Sequence, residues 1–449
     1  MNLLPRLLFL FQSLPIGIPT SAFNMLDKLI SRFIWQNRRP RVRLKTLTLG
    51  KNRGGLSLPN IKYYFWAAQL TAVVAWINND MESGWVNIEQ NSLPVIPLSV
   101  LVFLSKQSQE KLEIKNIWVK HTLKVWSTVQ KRIRGTAALS RAMQIAGNPN
   151  FPPSTTDSTF KSWAGRNLRV LDQLFCDNVL QPFSYLQDKF FLPQSDLFRY
   201  FQIRHYITSH KDWNTIKNAP TNVETYFINI IRHQLPNKKH VSHIYRNLLL
   251  DMPDNTFHIK NKWELELNII IEDGEWETMC IGCHKGINSN TWKEFDWKMK
   301  TRFFKTPSVV AKFIDNPAAI YCWRKCGMVG DHLHIFWDCP MMLPFWKGMK
   351  KEIDKAMGID LPFTPSLFLL DLTIEDMYTR DQKHLLHILL MTARKMVTVK
   401  WMNPQPPTVT QWKQKLREVY GMEALTAQLQ IKADVFVRRW LPIARYLSN

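Results

Sequence analysis

Acidic residues are scarce in this chain of 449 residues, which has Asp+Glu 36 against Lys+Arg 59. The sequence has no adjacent aspartates, no glycine-rich phosphate loop and no Gly-x-Ser-x-Gly motif. Polymerases and nucleases hold their divalent metal ions with clustered carboxylates, and no such cluster follows a strand-like segment here. We therefore expect that the chain is not an enzyme on its own.

Cysteine is also scarce, with 6 residues in the chain. This number is too low for a disulfide framework and favours a reducing compartment. The apolar stretch from Leu3 to Pro19 resembles a signal peptide or a membrane anchor. However, Arg6 interrupts it, no basic segment precedes it, and it is too short to span a bilayer. We favour a core-packed amphipathic helix, and we expect a cytoplasmic or nuclear protein with no membrane partner.

Large apolar side chains are plentiful, since hydrophobic residues make up 45% of the chain and tryptophan occurs 18 times. Such a composition supports several cores, and a prior of roughly 150 residues per domain suggests about three. Apolar residues recur mostly at helical spacing, which predicts a mainly α, multi-domain helical architecture. Pattern breaks divide it into sections 1–85, 86–250 and 251–449. Residues 61–77 are predicted as one helix and 170–192 as two short helices.

The net charge of +23 favours a polyanionic partner, because neutralising phosphates releases condensed counterions. Charge alone does not separate nucleic acid from an anionic membrane. The densest basic segment contains seven cations and no acid, namely Arg38, Arg39, Arg41, Arg43, Lys45, Lys51 and Arg53. Flanking aromatic residues suit base stacking, and we name Trp35, Tyr63, Tyr64 and Trp66 for this role. The alternative is a solvated loop or a run that resembles a nuclear-localisation signal.

Two weaker basic clusters extend this hypothesis. One is Lys131, Arg132 and Arg134, and the other is Lys298, Lys300, Arg302 and Lys305. Each cluster taken alone is more typical of a solvated face than of a binding surface.

The sharpest motif is a candidate zinc site formed by Cys322, Cys326, His334 and Cys339. Structural zinc needs four thiolate or imidazole ligands that close a tetrahedron. The spacing is loose, and His332 competes with His334. The alternative is a reduced, buried cluster without metal. Upstream, the segment from Cys280 to His284 matches the Cys-x-x-Cys-His haem-attachment pattern, but incidental reduced thiols are the favoured interpretation.

A series of segments occurs in order along nearly the whole chain. They are Leu4–Pro15, Phe33–Trp35, Arg38–Arg41, Gly54–Asn60, Leu192–Pro193, Phe198–Arg204, Cys322–Cys326, His334–Pro340, Lys400–Trp401, Pro404–Thr408 and Met422–Glu423. Together they resemble the polyprotein of vertebrate LINE-type (non-LTR) retrotransposons, downstream of the reverse transcriptase palm. The resemblance implies a helical thumb at 1–85, a wrist-like section at 86–250, and a C-terminal domain at 251–449 with its Cys-rich motif at 322–339.

In that family these regions hold template RNA and primer around a palm that copies RNA into DNA. The palm with its paired aspartates and the endonuclease do not occur in this sequence. We therefore expect a remnant that binds RNA or single strands, with zinc as its candidate cofactor. The alternatives are a decayed retrotransposon fragment with no selected function, and an accessory part of an RNA-directed DNA polymerase that works with a separate palm.

Overall fold

The computed structural model describes residues 3–79, 83–93, 96–135, 139–233, 239–252, 257–314, 316–372 and 378–448. Within these residues the protein is mainly α, as the sequence predicted, with 25 α-helices and one two-stranded sheet. None of the described helices combines the length and the apolar character that crossing a bilayer requires.

The helices up to residue 250 are α1 (Leu3–Ser13), α2 (Thr20–Trp35), α3 (Leu44–Thr48), α4 (Ile61–Gln69), α5 (Thr71–Asn78), α6 (Gly84–Asn91), α7 (Leu98–Leu101), α8 (Lys106–Glu110), α9 (Ile117–Arg134), α10 (Pro153–Thr156), α11 (Thr159–Gly165), α12 (Phe183–Phe190), α13 (Leu197–Ser209), α14 (Trp213–Ile216), α15 (Asn222–His233) and α16 (His240–Leu250). The later helices are α17 (Phe257–Leu267), α18 (Asp273–Gly282), α19 (Asn290–Lys300), α20 (Pro307–Val310), α21 (Leu343–Met357), α22 (Pro365–Leu370), α23 (Arg380–Val399), α24 (Val409–Leu429) and α25 (Ala433–Ser448). The strands are β1 (Phe175–Cys176) and β2 (Val179–Leu180).

The chain forms two compact units, and the first comprises Met1–Arg41 and Pro59–Pro253. Helix α1 is amphipathic as predicted, and it buries Phe11 edge-on against Phe65 of α4 with 5.3 Å between ring centroids. The helix predicted over 61–77 is interrupted at Leu70, so α4 and α5 are separate. Helix α4 packs on α16, where the rings of Tyr64 and Tyr245 stack at 3.7 Å.

The prediction of two short helices over 170–192 is wrong in its first half. A 3₁₀ turn at Leu171–Leu174 leads into β1, which pairs with β2 in an antiparallel hairpin. Asp177 and Asn178 connect the strands with φ of 48° and 63°. Two adjacent left-handed residues form the turn that matches the twist of a two-residue hairpin, and Asp and Asn tolerate this conformation. Only α12 remains of the predicted pair.

The second unit comprises Val42–Leu58 and Asp254–Asn449. Its N-terminal segment contacts α18 through the 3₁₀ turn Lys51–Arg53, and the indole Nε1 of Trp297 donates to the carbonyl of Gly54 at 2.9 Å. A Cβ on Gly55 would lie 2.1 Å from the carbonyl oxygen of Leu49, so this close backbone approach requires glycine. The three sections inferred from the sequence stay a prediction.

The C-terminal helices of the second unit form a bundle of α21, α23, α24 and α25. Both long helices begin with capping boxes, Thr379 with Gln382 for α23 and Thr408 with Gln411 for α24. Such boxes satisfy backbone N–H groups that have no partner inside the helix. The predicted helix near 382–401 and the two helices after it are confirmed.

Candidate metal centre

Four side chains of the second unit, Cys322, Cys326, His334 and Cys339, place their ligand atoms within 4.8 Å of one another. The Sγ atoms of Cys322 and Cys339 are 4.0 Å apart, and Cys326 Sγ lies 3.2 Å from His334 Nε2. A tetrahedral zinc with Zn–S bonds of about 2.3 Å sets sulfur atoms about 3.8 Å apart, whereas a disulfide requires about 2.05 Å. All six cysteines are free thiols. The group could therefore hold a metal ion.

The first two cysteines lie on a tight backbone loop. The N–H of Cys322 donates to the carbonyl of Met328 at 2.9 Å, and Tyr321 bridges Val329 in antiparallel fashion. Within this loop, on either side of Cys326, Lys325 and Gly327 adopt φ of 59° and 80°. These left-handed residues reverse the chain and bring Cys326 back towards Cys322.

The last two ligands are brought together by a π-helical turn, His334–Asp338. It begins where Asp331 Oδ1 accepts the N–H of His334 at 2.8 Å, and it closes where the N–H of Cys339 donates to the carbonyl of His334 at 3.0 Å. In an α-helix, residues five apart point about 140° away from each other. The wider π turn aligns them, and such turns are frequent at functional sites.

His332, the rival ligand in the sequence, lies outside the donor group. Its buried ring packs edge-on to Trp263 at 5.5 Å and against Phe336 at 4.8 Å. Burial first, and then the positive charge of Arg302, lowers its pKa well below the ordinary histidine value. His332 is therefore a neutral core residue, and His334 is the histidine of the cluster.

The electrostatics of the group suit a cation. Burial raises the pKa of Cys322 to about 12, so this thiol is neutral without a metal ion. Burial also lowers the pKa of His334, which keeps its imidazole in the neutral form that coordinates metals. Burial acts to raise the pKa of Cys326, but hydrogen bonds from the Met328 N–H and neighbouring thiols bring it below the ordinary value. A dication would stabilise all three sulfurs as thiolates.

Arg324 provides a further sign of fit. The residue is 4% exposed, and its guanidinium donates through Nη1 to the carbonyl of Ile335 at 3.0 Å, while Nε and Nη2 have no acceptor among the described residues. An unpaired buried charge is costly. A divalent ion with three thiolates would carry one net negative charge, and Arg324 is a buried cation close enough to His334 to lower its pKa.

Asp296, Asp371 and His387 form a second group, whose possible metal-ligand atoms also lie within 4.8 Å of one another. Two cations already occupy it. Lys300 Nζ lies 2.9 Å from Asp296 and 2.6 Å from Asp371, and Arg394 donates to both carboxylates at 2.9 Å. His387 Nδ1 lies 2.9 Å from Asp371. A divalent ion would meet two buried cations here, so we interpret this group as a closed network of ion pairs and not as a metal site.

The seven basic residues predicted to contact nucleic acid are divided between the two units. Arg38, Arg39 and Arg41 belong to the first, and the other four cations belong to the second. All are exposed except Arg53, which is half-buried. Arg41 and Arg53 interact with other groups. The remaining five, Arg38, Arg39, Arg43, Lys45 and Lys51, form no side-chain hydrogen bond or ion pair with another described residue.

Two of the four aromatic residues predicted to stack on bases are buried, and the other two are half-buried. Tyr63 and Trp66 are buried and stack on each other at 5.0 Å, and Tyr64 stacks on Tyr245. The prediction was wrong for Tyr63 and Trp66 because their position in the core of the first unit was not evident from sequence, and for Tyr64 it stays a prediction. Trp35 is half-buried.

Four cations of the two weaker basic clusters are paired with acids within their own units. Arg134 pairs with Glu224, Lys298 with Glu294, and Arg302 with Glu266 in a bidentate contact at 2.7 Å. Lys300 is 1% exposed and belongs to the closed network. The cluster near residue 300 therefore adds little to a phosphate-binding surface, whereas Lys131 and Arg132 of the other cluster are exposed.

The haem-attachment pattern is buried, because Cys280 and Cys283 are 3% and 2% exposed. Burial raises the pKa of Cys283 well above its ordinary value, and its Sγ donates to the carbonyl of Met279 at 3.5 Å. The pair therefore packs as reduced thiols.

No family model matches the chain.

Proposed function

We propose that this chain binds single-stranded RNA and that a structural zinc ion at Cys322, Cys326, His334 and Cys339 stabilises its second unit. The five exposed cations that pair with no described residue carry the RNA part of the proposal, since a solvated cation with no described acid beside it is free to contact phosphate. The ordered LINE-like segments support the same function, because those regions of the family hold RNA. We propose on that ground that the chain derives from such an element.

The donor set supports zinc over other divalent ions. Three thiolates and one imidazole are soft or borderline ligands, which zinc prefers and which magnesium and calcium avoid. Four protein ligands close the tetrahedron and leave no open position for substrate or water. The ion would therefore have a structural role and supply no reaction chemistry.

RNA binding by wild-type protein should weaken steeply as salt rises, because each phosphate contact releases counterions. We expect the combined replacement of the five unpaired cations by glutamine to raise the Kd for a single-stranded RNA on the order of 100-fold at low salt. The slope of log Kd against log salt should become shallower by about 3.5, at roughly 0.7 per contact. Fluorescence anisotropy across a salt series measures both quantities.

A charge-matched control distinguishes the effect of these contacts on RNA affinity from the effect of net charge. Five exposed lysines of the first unit are replaced together by glutamine, namely Lys111, Lys120, Lys161, Lys211 and Lys217. This variant should keep most of the wild-type affinity. If both variants lose the same affinity for RNA, net charge alone explains the loss and the proposed contacts are wrong. Absent or salt-independent RNA binding by the wild type would also overturn the proposal.

A further inference from the structure

The second unit contains a cavity of 570 Å³ that neither the metal centre nor the exposed basic segment uses. Helices α18 and α23 line it, together with the end of α22 and Arg439 of α25. Its volume is in the range of about 300–1,000 Å³ that is typical of small-ligand sites.

The floor of the cavity is the closed ion-pair network. Lys300 and Asp371 both line the cavity, and Arg394 behind them donates to Asp371 and to the carbonyl groups of Phe368 and Leu369. Two carboxylates and two cations cancel in this network. These four groups of the floor therefore have no net charge.

The described walls carry an excess of positive charge. Lys285, Arg380, Lys383 and Arg439 line the cavity, and Glu275 is the acid among the wall residues. Arg439 shares the single carboxylate of Asp381 with Arg438, so that ion pair leaves positive charge unbalanced. Lys285 and Arg380 are exposed and pair with no described acid.

His384 also lines the cavity, next to Arg439. Burial first, and then the neighbouring Arg439, lowers its pKa to about 4. Its Nε2 lies 3.5 Å from Nη1 of Arg439, so the neutral ring orients the guanidinium towards the cavity.

We propose that this cavity binds a terminal phosphate or oligophosphate group. Four cations from α23, α25 and the segment after α18 surround a volume that suits a multiply charged anion. Guanidinium groups recognise phosphate oxygens with paired N–H bonds, and lysines add charge. The phosphate has two chemical sources, a free oligophosphate and the 5′ end of a nucleic-acid strand. The site does not depend on the proposed RNA contacts, because none of those five cations lines it.

Isothermal titration of the full chain with tripolyphosphate at low salt tests the site itself. We expect binding by wild type, and at least a 10-fold loss of affinity in the double variant Lys285→Gln and Arg380→Gln. Both side chains are exposed, so the fold should be retained. The control Lys351→Gln and Lys355→Gln removes equal charge from exposed positions of α21 and should bind as wild type does.

Titration with a short oligonucleotide, with and without a 5′-phosphate, identifies the source. A preference for the phosphorylated strand that the double variant loses identifies a strand end, and tripolyphosphate binding without that preference identifies a free oligophosphate. Hydrogen exchange of wild type should also slow in α23 when tripolyphosphate is added. Absent binding, or equal affinity in wild type and the double variant, overturns the proposal. The five-cation variant should still bind tripolyphosphate, so failure of RNA binding and failure of this site are distinguishable.

Discussion

Replacing Cys339 by serine is expected to lower zinc from about one ion per chain to almost none. Cys339 is fully buried, and its Sγ lies 4.0 Å from that of Cys322, so its loss leaves three ligands around an open position. Structural zinc contributes folding free energy directly, about 10–16 kcal/mol in small zinc-finger peptides. Within this larger core we expect a loss on the order of 3 kcal/mol or more. Plasma emission spectrometry measures the zinc, and hydrogen exchange of residues 320–342 measures the local stability.

Cys283→Ser is the matched control for this prediction. It makes the same chemical change at a buried cysteine of the same unit, outside the donor group. The serine hydroxyl is able to donate to the Met279 carbonyl that now accepts from the thiol. Zinc content should be unchanged and the stability loss about 1 kcal/mol. Zinc retained in Cys339→Ser, or lost equally from both variants, would contradict the assignment of Cys339 as a ligand.

Replacing Arg394 by methionine should destabilise the second unit by about 3–5 kcal/mol, because it leaves buried carboxylates without their principal partner. The Arg394 side chain is 0% exposed and donates to Asp296, to Asp371 and to the carbonyl groups that end α22. Burial alone would raise the pKa of Asp371, but Arg394, Lys300 and His387 lower it well below the ordinary value. The same arginine therefore maintains the charge of that carboxylate.

Hydrogen exchange of α22 and α23 in the full chain should report this loss as faster opening of both helices. Arg380→Gln on α23 is the control, since that side chain is exposed and its replacement should change stability by less than about 0.5 kcal/mol. If Arg394→Met exchanges no faster than Arg380→Gln, the network does not stabilise this part of the fold.

The sequence was most informative where the signal is local. Helical spacing of apolar residues predicted α1 and the helices after residue 379, because one buried face determines such a pattern. The four metal-ligand candidates were evident from residue type alone. The choice between His332 and His334 was not, because it depends on the π turn, and an ordinary helix would have pointed His334 and Cys339 apart.

Contacts between distant residues were not predictable. Two of the acids that pair with the lysine and arginine cluster near residue 300 are distant in sequence, Asp371 71 residues beyond Lys300 and Glu266 36 residues before Arg302. The contact between Trp297 and Gly54 spans 243 residues. No local pattern reveals such partners, since burial and pairing follow from tertiary packing. The cavity lined by α18 and α23 was not predictable for the same reason.

X-ray absorption at the zinc edge, on wild-type protein purified under reducing conditions, tests the metal centre most directly. The donor set predicts three sulfur neighbours at about 2.3 Å and one nitrogen at about 2.0–2.1 Å, with about one zinc per chain. Protein without zinc, or zinc surrounded only by nitrogen and oxygen, would contradict the proposal that Cys322, Cys326, His334 and Cys339 form one closed site.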